Sequence, residues 1–108
     1  MITTHVLDTS RGTPAIGLGV VLEMNRGIDW VVLGRADTDE NGRVVAFTTA
    51  PIAAGMYRLT FDTASYHRAS GITPFFPQVT VTFDVAGGAH YHVPLLLSPY
   101  GYSTYRGT

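Results

Sequence analysis

The stretch QVTVTFDV at residues 78–85 decides the fold class. Its four apolar side chains stand at every second position, with threonines and an aspartate between them. A β-strand points alternate side chains to opposite faces, so this pattern predicts a strand with one buried and one exposed face. Residues 57–62 alternate in the same way and predict a second strand of this kind.

Further strands are predicted on both sides of this stretch. The Val-, Leu- or Tyr-rich segments concerned are residues 3–7, 17–24, 30–37, 43–49, 93–97 and 102–105. The pair Asn41-Gly42 predicts a type I′ hairpin turn, because both residue types tolerate positive φ. About eight short strands in a chain of this length predict an all-β sandwich or small barrel.

One segment departs from the alternation. Residues 63–70 lack a period of two, and they predict a short helix with Thr63 as its N-cap and Gly71 at its carboxyl end. The sequence shows no repeat, linker or low-complexity tract. We therefore expect a single domain that covers residues 1–108.

Composition excludes several classes of protein. The net charge is −1, and the seven basic residues, all arginine, form no cluster, so we expect no nucleic-acid partner. No apolar run approaches the roughly 20 residues that span a bilayer, and no signal-peptide pattern opens the chain. We therefore expect no membrane partner and a cytoplasmic location. The absence of cysteine excludes disulfides and thiolate catalysis.

Histidines and one arginine are the candidate chemical groups. His5 lies in a predicted strand, where a buried structural histidine is an alternative interpretation. On a strand, His90 and His92 share one face and could begin a metal site, but no cysteine or nearby carboxylate supplies a third ligand, so no metal is predicted. Arg43 follows the predicted turn, where an arginine is ordinarily solvated.

The carboxyl terminus is unusually aromatic. Residues 98–108 contain three tyrosines, several hydroxyl side chains and an arginine. Tyrosine and arginine are the residue types favoured at binding hot spots. A well-packed last strand is the alternative interpretation.

These residues together resemble one known family. The opening TTHVLDT at residues 3–9, the segment HYHVPLLLSP at 90–99 and the ending YSTYRGT at 102–108 are similar to the 5-hydroxyisourate hydrolases, which are transthyretin-related proteins of urate degradation. The resemblance covers essentially the whole chain. It implies a transthyretin-like β-sandwich of two four-stranded sheets with one short helix, assembled as a homotetramer that is a dimer of dimers.

The resemblance also implies a set of site residues. The catalytic residues would be His5, Arg43 and His92. Substrate would be bound by His5, Arg43, Tyr105, Arg106, Gly107 and Thr108. The chain departs from the family pattern at Thr108, where serine is usual, at Asn41 in the turn, and at His67 in the helix.

The implied activity is that of a cyclic amide hydrolase in purine breakdown. Water would attack a lactam carbonyl of 5-hydroxyisourate and give 2-oxo-4-hydroxy-4-carboxy-5-ureidoimidazoline, with a histidine as base and an arginine facing the oxyanion. No redox step occurs, so no cofactor is expected. The alternative is a transthyretin-like carrier that binds a small molecule in the tetramer channel, although that carrier lacks the Tyr-Arg-Gly-Ser/Thr ending.

Overall fold

The chain forms ten strands and one helix, and a computed structural model describes all 108 residues. The elements are β1 (Ile2–Asp8), β2 (Thr13–Pro14), β3 (Gly19–Asn25), β4 (Trp30–Asp37), β5 (Arg43–Val44), β6 (Gly55–Phe61), α1 (Thr63–Ala69), β7 (Val79–Val85), β8 (Tyr91–His92), β9 (Leu95–Ser98) and β10 (Gly101–Thr104). No helix has the length and apolar character needed to cross a membrane.

One sheet is antiparallel and contains four strands in the order β4-β3-β6-β7. Leu59 is paired with Leu22 on one side and with Val81 on the other, so the apolar positions of three strands share a face. Directly paired residues of a sheet lie on the same face. The apolar positions of β3, β6 and β7 therefore form one apolar face of the sheet. The strands predicted from alternation are confirmed here.

The other sheet contains six segments rather than the expected four strands, and all but β10 pair with β1. The parallel segments β8 and β9 are separated only by Val93 and Pro94, whereas β2 and β5 run antiparallel to β1. Proline has no backbone N–H to donate, so Pro94 interrupts the hydrogen-bond ladder with β1 between β8 and β9. β10 then pairs with β9 at the edge.

The hydrophobic core lies between the two sheets. Val6, Leu95 and Leu97 bury their side chains from one sheet, and Leu59 and Phe61 bury theirs from the other. Each of these side chains is at most 1% exposed. Because side chains alternate along β1, the neighbours of Val6 on that strand project from the outer face of the sheet.

The helix begins one residue earlier than predicted. The N-cap is Asp62, whose carboxylate accepts a hydrogen bond from Ser65 N–H at 3.1 Å, so the prediction of Thr63 as cap is wrong. The Thr63 hydroxyl donates instead to the carbonyl of Phe76 at 2.6 Å. Gly71 follows the helix with φ 73°, as its predicted role at the carboxyl end requires.

A hydrogen bond fastens the helix to the six-segment sheet. The Tyr66 hydroxyl donates to Asp8 Oδ2 at 2.7 Å. Burial and the neighbouring Asp8 carboxylate raise the pKa of Tyr66 to about 12. The hydrogen bonds from Tyr66, Ser10 and Arg11 outweigh the burial of Asp8, so the pKa of Asp8 is lowered.

The Asn41-Gly42 turn is not a hairpin. β4 pairs with β3 and β5 pairs with β1, so the chain crosses from one sheet to the other at this point. Gly42 has φ 76°, but no residue other than glycine has positive φ, which excludes a type I′ turn. A Cβ at Gly42 would also come within 2.5 Å of the Val6 carbonyl oxygen. The strand predicted at 43–49 is observed only as β5, Arg43–Val44.

Candidate active site

Strand register brings three of the predicted site residues to one face. Thr3 pairs with His92 across β1 and β8, and His5 pairs with Arg43 across β1 and β5. Paired residues share a face. The strand neighbours Thr4, Val44 and Tyr91 are buried, so the four paired side chains project from the outer face of the six-segment sheet.

His5 has a fixed tautomer in its neutral form. Its Nε2 lies 2.8 Å from the backbone carbonyl oxygen of Asn41. A carbonyl oxygen only accepts hydrogen bonds, so Nε2 carries the hydrogen and donates it. The lone pair of neutral His5 is therefore on Nδ1, which leaves that nitrogen as the one able to accept a proton.

Asp39 holds the turn that carries Arg43. One carboxylate oxygen, Oδ1, accepts the backbone N–H of Asn41 and that of Arg43, each at 2.9 Å. These two hydrogen bonds are the main cause of a lowered pKa at Asp39. Asp39 was not predicted as a functional residue, although aspartate in a turn frequently accepts a hydrogen bond from the backbone N–H two residues on.

Arg43 and His92 make up the rest of the polar face. The Arg43 side chain is exposed and takes no part in the single salt bridge of the protein, which joins Arg58 to Glu23. Burial lowers the pKa of His92, and the charges of Arg43, His90 and His5 lower it further. A lowered pKa keeps the His92 ring neutral and able to accept a proton at neutral pH.

A threonine links the two histidines of the His-x-His motif. Thr3 Oγ1 lies 2.8 Å from His92 Nδ1 and 2.8 Å from His90 Nε2. The ring centroids of the two histidines are 6.3 Å apart, and the shared hydroxyl joins one nitrogen of each ring. Thr3 was not predicted as a site residue, because the contact joins residues 87 and 89 positions apart in the chain.

The tail reaches His92 through Gly107. Gly107 N–H donates to the carbonyl of His92 at 2.8 Å and forms an isolated bridge with it. A Cβ at Gly107 would lie 2.6 Å from His92 Cδ2, so only glycine fits against the ring without a shift. Thr108 follows directly and is exposed.

Tyr105 and Arg106 lie apart from this face. The Arg106 guanidinium stacks over the Tyr91 ring, 4.6 Å from its centroid. Both tail residues line a groove of about 240 Å³ against β7, on the side of β8 opposite to His92. Within one chain, the structure thus brings together His5, Arg43, His92 and Gly107, and places Tyr105 and Arg106 in a separate groove.

The face has the groups that proton transfer and anion binding require. Two imidazoles offer a proton acceptor and a proton donor near neutral pH, and one unpaired guanidinium offers donors in a planar fork. Nowhere do three or more His, Asp or Glu side chains group as metal ligands would. The arrangement suits a small, flat molecule rich in carbonyl oxygens.

Comparison with known proteins identifies the family to which this chain belongs. The HIUase/Transthyretin family profile matches residues 2–107. A curated relative from Salmonella typhimurium, named 5-hydroxyisourate hydrolase, is 44% identical over 110 residues, which cover all of this chain and 81% of the relative.

Two solved structures agree with that match. The Klebsiella pneumoniae 5-hydroxyisourate hydrolase is 37% identical with a TM-score of 0.89, over 99% of this chain and 98% of that one. Sea bream transthyretin in complex with thyroxine is 33% identical with a TM-score of 0.91, over 98% of this chain and 93% of that one. The predicted transthyretin-like β-sandwich is confirmed.

Proposed function

Because the chain belongs to the HIUase/Transthyretin family, we propose that it hydrolyses 5-hydroxyisourate. The product would be 2-oxo-4-hydroxy-4-carboxy-5-ureidoimidazoline, formed by opening a cyclic amide without a cofactor. The observation that carries this proposal is the convergence of His5, Arg43 and His92 on one outer face, in a chain whose whole length aligns with 81% of the named hydrolase.

His5 and His92 are the two residues available for the proton transfers. Neutral His5 has its lone pair on Nδ1, because Nε2 donates to the Asn41 carbonyl. His92 has a lowered pKa, so it is neutral at neutral pH and can take a proton from the attacking water. The ring that has taken this proton can then give a proton to the nitrogen that leaves the carbonyl carbon. General acid–base assistance of this kind supplies about 10² to 10⁴ in rate.

Arg43 stabilises the negative charge that develops on the attacked carbonyl oxygen. Its guanidinium has no competing carboxylate partner in the chain. The hydrogen bonds from the Asp39 turn fix the backbone from which this side chain projects. Preorganised donors of this type commonly contribute about 10² to 10³ in kcat.

The chain end contributes the substrate pocket. Gly107 is in contact with His92, and the exposed Thr108 follows it directly, so we place the Thr108 hydroxyl at the edge of this pocket. Tyr105 and Arg106 complete the substrate-binding set in this proposal. Within one chain these two residues line the groove beside Tyr91, so their role is to fix the position of the tail.

The active form is proposed to be a homotetramer, a dimer of dimers. The site residues lie on an open face, and several large apolar side chains of the chain are exposed, among them Val45 and Tyr105. Strands β7 and β10 leave unpaired sheet edges, which proteins ordinarily cover. A second copy that covers these surfaces would also exclude water from the site. Sedimentation equilibrium should give the mass of four chains.

A coupled ultraviolet assay tests the activity. Urate oxidase generates 5-hydroxyisourate in the cuvette, and its decay is followed with the wild-type protein, with His92→Ala and without addition. We expect rapid decay with the wild type alone. Equal decay with His92→Ala would contradict the role of His92. No acceleration by folded wild-type protein would contradict the hydrolase proposal and favour a small-molecule carrier.

A further inference from the structure

The position of Thr3 between two imidazoles has a chemical consequence. Its hydroxyl oxygen is 2.8 Å from His92 Nδ1 and 2.8 Å from His90 Nε2. A hydroxyl has one hydrogen to donate and lone pairs with which to accept. When Thr3 donates to one imidazole, the other imidazole donates to Thr3. The proton positions of the two rings are therefore coupled through a single atom.

We propose that Thr3 and His90 form a proton relay that keeps His92 neutral while it removes a proton from the attacking water. This inference rests on the hydrolase function proposed above. It makes Thr3 and His90 positioning residues, since neither needs to touch the substrate. It also selects His92, rather than His5, as the general base.

The proton movements balance. At the start, His92 Nδ1–H donates to Thr3 Oγ1, and the Thr3 hydroxyl donates to His90 Nε2. As His92 Nε2 takes the proton of water, the Nδ1 proton moves to Thr3 Oγ1 and the threonine proton moves to His90 Nε2. His92 is then neutral with its hydrogen on Nε2, and His90 has the positive charge. His92 Nε2–H next protonates the leaving nitrogen, and the relay runs in reverse.

The two rings differ in how well they hold a charge. His92 is partly buried, and the Arg43 guanidinium lies on its side of the sheet. His90 is exposed to water. Desolvation penalises an imidazolium at His92 more than at His90, so the relay moves the charge to the better-hydrated ring.

Two substitutions separate a relay from a structural contact. Thr3→Val keeps the shape of the side chain and removes the hydroxyl. His90→Gln keeps groups that hydrogen-bond to Thr3 but cannot hold a proton. We expect each to lower kcat about tenfold or more with KM nearly unchanged, because proton transfer and not binding is affected. The double variant should be no slower than either single variant.

Two further variants serve as controls. Thr3→Ser restores the hydroxyl and should return kcat to near the wild-type value. Thr9→Val removes a threonine hydroxyl that donates to the Leu97 carbonyl at 3.1 Å, outside the relay, and should leave kcat unchanged. Wild-type kcat in His90→Gln, or an equal loss in Thr3→Ser and Thr3→Val, would overturn the relay.

Nitrogen NMR of the imidazoles tests the coupling without substrate. In the wild type, protonation of His90 should convert His92 from the form with hydrogen on Nδ1 to the form with hydrogen on Nε2, and Thr3→Val should abolish this response. If the His92 tautomer did not change when His90 is protonated, the relay would be disproved, whatever the measured activity. Failure of the wild type to hydrolyse 5-hydroxyisourate would overturn the proposed function and leave the coupling result standing on its own.

Discussion

Gly107 lies against the imidazole of His92, and no side chain fits between them. A Cβ at Gly107 would be 2.6 Å from His92 Cδ2, while the Gly107 N–H donates to the His92 carbonyl at 2.8 Å. Gly107→Ala must therefore displace either the ring or the tail. A displacement of about 1 Å in a site can cost about 10²-fold in rate. We expect a kcat loss of that order in the coupled ultraviolet assay.

Gly101→Ala is the matched control for this prediction. A Cβ at Gly101 meets only Ser98 Oγ, at 3.7 Å, which is an ordinary contact distance. This variant should have the stability and activity of the wild type. Comparable activity of the Gly107 and Gly101 variants would show that the tail does not position His92.

Arg43 should control the titration of His92. Burial is the largest cause of the lowered His92 pKa, and the Arg43 charge is next. Activity requires neutral His92, so it should fall as pH decreases through this pKa. Arg43→Gln removes a positive charge, so the His92 pKa should rise while staying below the ordinary 6.5, since the ring remains buried. Proton NMR titration of the His92 ring measures the shift.

The control for the titration is Arg35→Gln, which removes an exposed arginine from the other sheet. It should leave the His92 midpoint unchanged. A midpoint that does not move in Arg43→Gln, or that moves to lower pH, would disprove the electrostatic coupling.

Asp39 should matter for activity although it is not a site residue. Asp39→Ala removes the acceptor for two backbone N–H groups at 2.9 Å and frees the turn that carries Arg43 and the Asn41 carbonyl. We expect kcat/KM to fall about 10- to 100-fold, because both Arg43 and His5 lose their fixed position. Asp39→Asn retains an acceptor oxygen and should lose less.

Glu40→Ala provides the comparison within the same loop. Glu40 is exposed, and its side chain makes no hydrogen bond in the structure. Its removal should leave kcat/KM at the wild-type value. If Asp39→Ala were no more damaging than Glu40→Ala, the turn would not set the position of Arg43.

His67 should be replaceable with a gain in stability. It is 1% exposed, and neither ring nitrogen has a hydrogen-bond partner. A buried polar group without a partner costs about 1 to 3 kcal/mol. His67→Leu should raise the free energy of unfolding by about 1 kcal/mol and Tm by about 4 °C, measured by thermal unfolding. His67→Gln, which keeps buried polar atoms, should give no gain, and a lower Tm for His67→Leu would contradict the argument.

Local patterns predicted most of the strands. Alternation is a property of neighbouring residues, so β6 and β7 could be read from the sequence, and β4 was predicted with its bounds at Trp30 and Asp37. The N-cap was misplaced by one residue because both Asp62 and Thr63 are capping types. The hydrogen bonds of the two side chains decide between them. The Thr63 hydroxyl donates to the Phe76 carbonyl, and the Asp62 carboxylate accepts from the helix.

Features that depend on distant residues were not predictable. Asn41-Gly42 has the composition of a hairpin turn, but its flanking strands belong to different sheets, and pairing is decided by the whole fold. The resemblance identified His5, Arg43 and His92, whereas the register across β1 explains why they meet. No motif marked Thr3 as a site residue, and Asp39 has only the general turn preference of aspartate. Their roles follow from contacts that exist only after the sheets form.

The central place of β1 in its sheet determines the order in which this protein can fold. β1 precedes the other strands in the chain, but its parallel partner β9 starts at Leu95, while the four-stranded sheet lies entirely between Gly19 and Val85. Pairings this distant in sequence form slowly, because a long loop must close before they gain any contact energy. A nascent chain that ends at residue 89 can therefore complete one sheet and still lack the polar face. The polar face can form only after the segment that contains His92 has been made.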